Sequence, residues 1–163
     1  MDPADLPSLE IERKYLLDGL PSMPAGAQAH RMEQGYFDPV RLRRAAGPDG
    51  AVTCTHTVKT GAGLVRSETE REISHEEFDT LWPRTAGRRL TKTRYRINDA
   101  DLVWEIDTYD RIDLVLAEVE LPTPETKVTI PPWLAPHIVR EVTDEPDYQN
   151  YELALRLSKK KKY

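Results

Sequence analysis

Residues 9–14 read Leu9-Glu10-Ile11-Glu12-Arg13-Lys14, and residues 117–121 read Ala117-Glu118-Val119-Glu120-Leu121. Side chains alternate faces along a β-strand. Glu10, Glu12 and Lys14 therefore share one face, with Leu9 and Ile11 on the other, and Glu118 and Glu120 oppose Ala117, Val119 and Leu121. The same alternation recurs along the chain. Arg41 and Arg43 oppose Val40 and Leu42, while Thr55, Thr57 and Lys59 oppose Cys54, His56 and Val58. Arg66, Glu68, Glu70 and Glu72 fall on one side, as do Lys92, Arg94 and Arg96, and Glu105 and Asp107 oppose Trp104 and Ile106. A soluble antiparallel sheet usually has one apolar and one solvated face, and any one of these strands fits that description. Here the polar face is ionic strand after strand, and basic rows are separated from acidic ones. A surface tuned only for solubility mixes the signs.

Segments rich in Val, Leu, Ile and Thr cover residues 9–16, 31–37, 40–45, 52–59, 64–73, 90–97, 102–109 and 114–121. Pro48-Asp49-Gly50, Gly61-Ala62-Gly63, Asn98-Asp99-Ala100-Asp101 and Asp110-Arg111 carry hairpin chemistry between them. Roughly eight strands is the number at which a closed sheet encloses a usable interior. The expected fold is mostly β (α+β): an eight-stranded closed antiparallel β-barrel, a tunnel with ionic faces inward. Its outward apolar faces need cover, for which three helices are predicted. The first follows a capping box at Ser74-His75-Glu76-Glu77 and is disturbed by Pro83. The others span 132–139 and 148–157. Trp82, Trp104 and Trp133 read as packing beneath them. A polar tail at 1–8, one domain at 9–158 and a charged tail at 159–163 complete the organisation.

The chain has 163 residues, 39% hydrophobic and 31% charged, which suits one globular domain. Its 23 basic and 28 acidic residues leave a net charge of −5, which argues against generic nucleic-acid binding. The single cysteine, Cys54, rules out an internal disulfide framework and suits a reducing compartment. No apolar signal core opens the chain, and no run approaches the ~20 residues that span a bilayer. A cytoplasmic location without membrane or nucleic-acid partners is expected. His30, His56, His75 and His137 show no metal-ligand spacing.

Basic rows facing an enclosed space need an anionic guest, because buried unpaired charge is costly. Arginine forks match phosphate oxygens in pairs, and lysine adds point charge. Cations on opposing strands suit a chain of phosphates better than a single one. The carboxylates would repel that guest unless divalent cations bridged them, and magnesium binds readily through one or two carboxylates plus phosphate oxygens. The pattern predicts a metal–polyphosphate site.

The EIERK run at 10–14 resembles the ExExK signature that opens the CYTH superfamily, the triphosphate tunnel metalloenzymes. QGYF (34–37), VRLRR (40–44), TVKTGAGLVRSETE (57–70), LWP (81–83), GRRLTKTRY (87–95), WEID (104–107) and AEVEL (117–121) follow in that family's order. IPPW (130–133) and Tyr148-Gln149-Asn150 with Leu153-Ala154 are similar to its short bacterial inorganic tripolyphosphatases. The resemblance spans residues 9–157 and implies an eight-stranded tunnel that hydrolyses a triphosphate with Mg2+ or Mn2+, two ions being expected. It implies that Arg41, Arg43, Lys59, Lys92 and Arg94 hold the triphosphate, with Arg66 at a turn mouth. It assigns metal ligation, direct or through water, to Glu10, Glu12, Glu68, Glu70, Asp107, Glu118 and Glu120, with Glu72 and Glu105 as further members. It also implies that Lys14 and Tyr36 pair near the attacking water, Lys14 acting either as general base or as a phosphate-binding cation.

The substrate so implied is inorganic tripolyphosphate, cleaved to pyrophosphate and phosphate. The alternatives are a nucleoside or thiamine triphosphatase or an adenylate cyclase on the same fold, or a non-catalytic polyphosphate-binding module. Small barrels of this kind often pair, so a homodimer is open. The chain departs from related sequences at Gln149 and Tyr151, where lysine is common, which bears on substrate access.

Overall fold

The computed structural model describes residues 8–61 and 63–159. Nine strands occur in chain order: β1 (Ser8–Leu17), β2 (Gln28–Phe37), β3 (Val40–Ala46), β4 (Val52–Thr60), β5 (Val65–Ile73), β6 (Arg89–Asp99), β7 (Leu102–Tyr109), β8 (Val115–Glu120) and β9 (Ile138–Glu141). Two helices accompany them, α1 (His75–Leu81) and α2 (Asn150–Lys159). The strands pair in the order β5-β4-β3-β2-β6-β7-β8-β1, and β1 returns to β5, so eight antiparallel strands close into a barrel with β9 appended to β1. All eight expected strands are present, the largest difference being that β2 starts at Gln28.

The register preserves the parity read from the sequence. Arg43 lies opposite Gln34 and Thr55, Lys59 opposite Glu68, Arg96 opposite Glu105, and Glu118 opposite Lys14 and Glu105. Paired residues share a face, so the ionic rows run around one side of the closed sheet. That side is the inside.

The outward apolar rows are covered differently from the expectation. Leu42, Cys54 and Ile73 pack under Phe78 of α1 and under Trp82, whose ring stacks on Phe78 at 4.9 Å. Ser74 caps α1 by accepting from the Glu77 amide at 3.0 Å. The reciprocal half of the capping box is not made, because the Glu77 carboxylate is engaged by Arg71. Trp104, Ile106 and Val119 are covered not by a helix but by the chain after β8, through Val128, Ile130, Trp133 and Leu134. The helix expected at 132–139 is absent. A single 3-10 turn, Ala135–His137, leads into β9 instead. Pro132 and Pro136 withhold the amides a helix needs. β1 also has an edge to fill: β5 pairs with it only from Ser8 to Ile11, and β9 takes the same side at Tyr15–Leu17.

The last helix is a second correction. Leu153, Ala154 and Leu157 of α2 pack on Leu90, Tyr109 and Leu116, which share strand parity with Lys92, Asp107 and Glu118. The inward rows thus turn apolar at one end of the barrel, and α2 stoppers that end rather than covering an outer face. Burying each large apolar side chain there contributes roughly 1.5–3 kcal/mol. The Arg89 amide donates to Ser158 Oγ at 3.1 Å, and Arg111 donates to the Leu157 carbonyl, tying the helix to the rim.

Ser8 and Lys159, expected in the tails, are the end residues of β1 and α2. The rest of both tails lies outside the described residues. Among the described residues no helix is long and apolar enough to cross a membrane.

Candidate active site

The barrel encloses a cavity of about 430 Å3. Arg41, Arg43, Lys59, Arg66 and Arg94 line it together with Glu10, Glu12, Glu68, Glu70, Glu118 and Glu120. A second cavity of about 230 Å3 opens beside the first residues of α2, where Lys14, Tyr36, Arg41, Lys59 and Arg66 meet Gln149, Asn150 and Tyr151. The structure therefore gathers the sequence-predicted side chains on one enclosed surface. Lys92 and Asp107 share that inward face but are wholly buried and line neither cavity. Glu72 lies on the same row of β5 and is exposed, and Glu105 stands at the mouth of the larger cavity.

Depth sorts the ion pairs. At the bottom, Asp107 accepts from Lys92 Nζ at 2.8 Å and from Arg94 Nε and Nη2 at 2.8 and 2.9 Å. Burial alone would raise the Asp107 carboxyl, but Arg94 and Lys92 outweigh it and hold it low. Burial, then Arg94, lower Lys92, with Asp107 pulling the other way. With three donors already on it, Asp107 is the member of the predicted metal set with the least free capacity. Halfway up, Arg41 Nη2 lies 3.3 Å from Glu70 and 3.3 Å from Thr57 Oγ1, and Thr57 donates to Glu70 at 2.7 Å. Lys59 lies 3.0 Å from Glu10, and Arg66 3.0 Å from Glu12. Arg43 has no carboxylate partner among the described residues. Burial, then the charges of Arg41 and Arg94, pull it down, yet a guanidinium stays charged at neutral pH.

The acidic side is short of positive charge. Burial, then the charges of Glu118 and Glu10, push Glu12 up to about 7. Burial also raises Glu68, with Glu10 adding to it, and raises Glu120, with Glu10 and Glu105 adding. Glu118 goes the other way: burial would raise it, but Lys14, Arg94 and Lys92 hold it well below the usual carboxylate range. Among the described residues Glu10 Oε2 and Glu118 Oε1 are buried without a well-formed hydrogen bond, and Arg41 Nε and Arg66 Nε are buried donors without an acceptor. Such groups call for a guest carrying both a cation and an anion. Among the described residues no three carboxylate, imidazole or thiol groups form a ready-made metal cage. A metal shared with phosphate oxygens needs only one or two carboxylates, so the donor set fits one.

Lys14 and Tyr36 line the same cavity but have different partners. Lys14 Nζ donates to the Tyr148 carbonyl at 3.1 Å and stands 3.5 Å from Glu118. The Tyr36 hydroxyl accepts from Gln34 Nε2 at 2.8 Å, and its ring meets Tyr151 edge-on at 5.6 Å. Burial raises the Tyr36 phenol, opposed by Arg41, Arg43 and Lys14.

Gln34, Thr57, Tyr109 and Asn150 are interior polar residues to which the sequence reading gave no role. The Tyr109 hydroxyl donates to Asn150 Oδ1 at 2.7 Å. Gln34 and Thr57 have inward strand parity, a usable signal, but a search for charge passes over uncharged groups. Cys54 lies on the outward face, buried 3.6 Å from His75 Nδ1.

No family model matches the chain. It is 35% identical over 159 residues to an inorganic triphosphatase of Nitrosomonas europaea, covering 91% of this chain and 98% of that protein. It is 31% identical over 152 residues to an inorganic triphosphatase of Acetivibrio thermocellus, covering 88% and 92%. The crystal structure of the inorganic triphosphatase NE1496 superposes with a TM-score of 0.56 at 33% identity, covering 90% of this chain and 97% of that one.

Proposed function

The chain belongs to the inorganic triphosphatase family, and from that membership we propose that it hydrolyses inorganic tripolyphosphate to pyrophosphate and phosphate inside its tunnel. The observation that carries the reading is Arg43. It is a guanidinium at the cavity wall without an acid partner among the described residues, and cations approach the same space from β3, β4, β5 and β6. Phosphoryl transfer asks for positioning and charge stabilisation more than covalent chemistry.

Arg41, Arg43, Lys59, Arg66 and Arg94 would grip phosphate oxygens and stabilise charge gained in the transition state. Asp107, itself paired with Lys92, holds Arg94 in place from below. Lys14 and Tyr36, on the smaller cavity, stand where a water could be oriented. Mg2+ or Mn2+ would be held by Glu10, Glu12, Glu68, Glu118 and Glu120, because Glu12, Glu68 and Glu120 are raised by burial and by neighbouring carboxylates, and Glu10 Oε2 and Glu118 Oε1 lack a hydrogen bond among the described residues. Glu70 and Asp107 already serve Arg41 and Arg94. Such an ion, when bound, neutralises phosphate charge and acidifies bound water. The cytoplasmic setting expected from the unpaired cysteine belongs to the same proposal.

A phosphate-release panel tests it, with tripolyphosphate, ATP and thiamine triphosphate each incubated with Mg2+, Mn2+ or EDTA. Tripolyphosphate should be consumed fastest, and only with a metal. Release from none of the three would remove the enzymatic reading, and preference for ATP would move the substrate to the nucleotides.

A further inference from the structure

Gln34 is fully buried on the inward face of β2, opposite Arg43 of β3 and Leu90 of β6. Its amide oxygen accepts from Arg43 Nε at 3.0 Å, and its amide nitrogen donates to the Tyr36 hydroxyl oxygen at 2.8 Å. The two contacts are not interchangeable. An arginine Nε–H can only donate, so the amide oxygen must face Arg43. The reversed amide would set NH2 against N–H in a buried place, where a lost hydrogen bond carries its full desolvation cost. The amide NH2 is thereby committed to Tyr36, two residues along the same strand and on the same face. A phenol oxygen that accepts from Gln34 has its own O–H free to point elsewhere. Tyr36 lines the cavity with Lys14, Arg41 and Lys59.

We propose that Gln34 is a positioning residue: it takes its polarity from Arg43 and imposes it on Tyr36, so that the phenol presents its proton to the tunnel as a donor to a phosphate oxygen. Gln34 exchanges no proton itself. Arg43 also has no carboxylate partner among the described residues and lines the larger cavity, so one chain of hydrogen bonds, Arg43 to Gln34 to Tyr36, ties the anion's grip to the direction of the hydroxyl. The rate consequence rests on the triphosphatase reading, whereas the hydrogen-bond polarity does not.

Gln34→Glu tests it. The variant keeps the side-chain length and an acceptor for Arg43, but sets a carboxylate oxygen against Tyr36 and draws the phenol proton away from the tunnel. With tripolyphosphate, kcat should fall by roughly 100-fold, the scale of losing one transition-state donor, with KM little changed. Tyr36→Phe should lose as much, and the double variant should be no worse than Tyr36→Phe alone. Additive losses, or a loss confined to KM, overturn the proposal, since both mean that Gln34 acts through packing or through Arg43.

A second readout is independent of turnover. In protein labelled with 13Cζ-tyrosine, the Tyr36 resonance is identified by its disappearance in Tyr36→Phe and should move in Gln34→Glu. A resonance that stays put removes the hydrogen bond and the proposal with it. If Gln34→Glu does not fold, Gln34→Met keeps the volume, removes both polar ends and is read by the same cycle and the same resonance. Wild-type protein that releases no phosphate would defeat the proposed function, and the tyrosine resonance would still decide the role of Gln34.

Discussion

Lys92 Nζ and Asp107 Oδ2 lie 2.8 Å apart with both side chains shut off from water. Arg94 closes on the same carboxylate with Nε and Nη2. A buried pair of this kind is costly to break from one side, because the surviving charge is left uncompensated. Asp107→Ala should therefore destabilise the metal-free protein by about 3–5 kcal/mol, read by urea unfolding in EDTA. If Asp107 were chiefly a metal ligand, its removal in EDTA would leave stability nearly unchanged.

Glu12 gives a pH dependence of definite sign. Its carboxyl rises from 4.5 to about 7 on folding, through burial and then the charges of Glu118 and Glu10. Below 4.5 both states hold the proton, between 4.5 and about 7 the folded state alone does, and above that neither does. Stability of metal-free protein should therefore fall as pH rises through that window, by at most about 3 kcal/mol. Glu118 and Asp107 are lowered groups, and their contribution is lost only at pH below their unfolded values. Urea unfolding from pH 5 to 8 should show the decline in wild type and a flatter profile in Glu12→Gln. Mg2+ should restore stability more at pH 8 than at pH 5.5, because it competes with the proton for the same oxygens.

How much of this was legible in the sequence follows from what periodicity encodes. Alternation fixes which side chains share a face, so Glu10, Glu12 and Lys14 could be placed together with Arg41, Arg43 and Lys59 before any coordinates. Which residues contact which depends on register, and the Asp107–Lys92–Arg94 knot and the bond from Gln34 to Tyr36 emerge only there. For α2, the stripe Leu153, Ala154 and Leu157 has the same pattern whether it packs against an outer face or enters a barrel end. The distinguishing sign was on the strands, where Leu16, Leu90, Tyr109 and Leu116 replace charge at inward positions. For β9, a short apolar run such as Ile138-Val139 does not separate strand from helix. The vacancy on β1 that recruits it is a property of the closed sheet.

Gly35 marks a close approach that the QGYF motif does not explain by itself. A Cβ there would stand 2.6 Å from Thr85 Cβ and Oγ1. Thr85 is held, since Oγ1 donates to the Trp82 carbonyl at 2.7 Å and accepts from Arg89 Nε at 2.8 Å. Gly35→Ala should cost about 1–3 kcal/mol, as overpacking does. A thermal melt checks this, with the tunnel ionisations unaltered.

Arg43 and Arg94 should separate in their effects although both line the cavity. Among the described residues Arg43 has no carboxylate to leave behind, only the Gln34 amide oxygen, so Arg43→Ala should lower the melting temperature less than Arg94→Ala while weakening turnover of tripolyphosphate by 10-fold or more, on the order of one lost charge-assisted contact. Arg94→Ala strips Asp107 of two donors and should lower the melting temperature as well. Equal loss of stability in both variants would contradict the partner assignments.

The most direct measurement is a 31P NMR time course of tripolyphosphate with the wild-type protein and Mg2+. The account predicts that the tripolyphosphate resonances give way to pyrophosphate and phosphate in equal molar amounts. A spectrum unchanged across divalent metals and pH would contradict it.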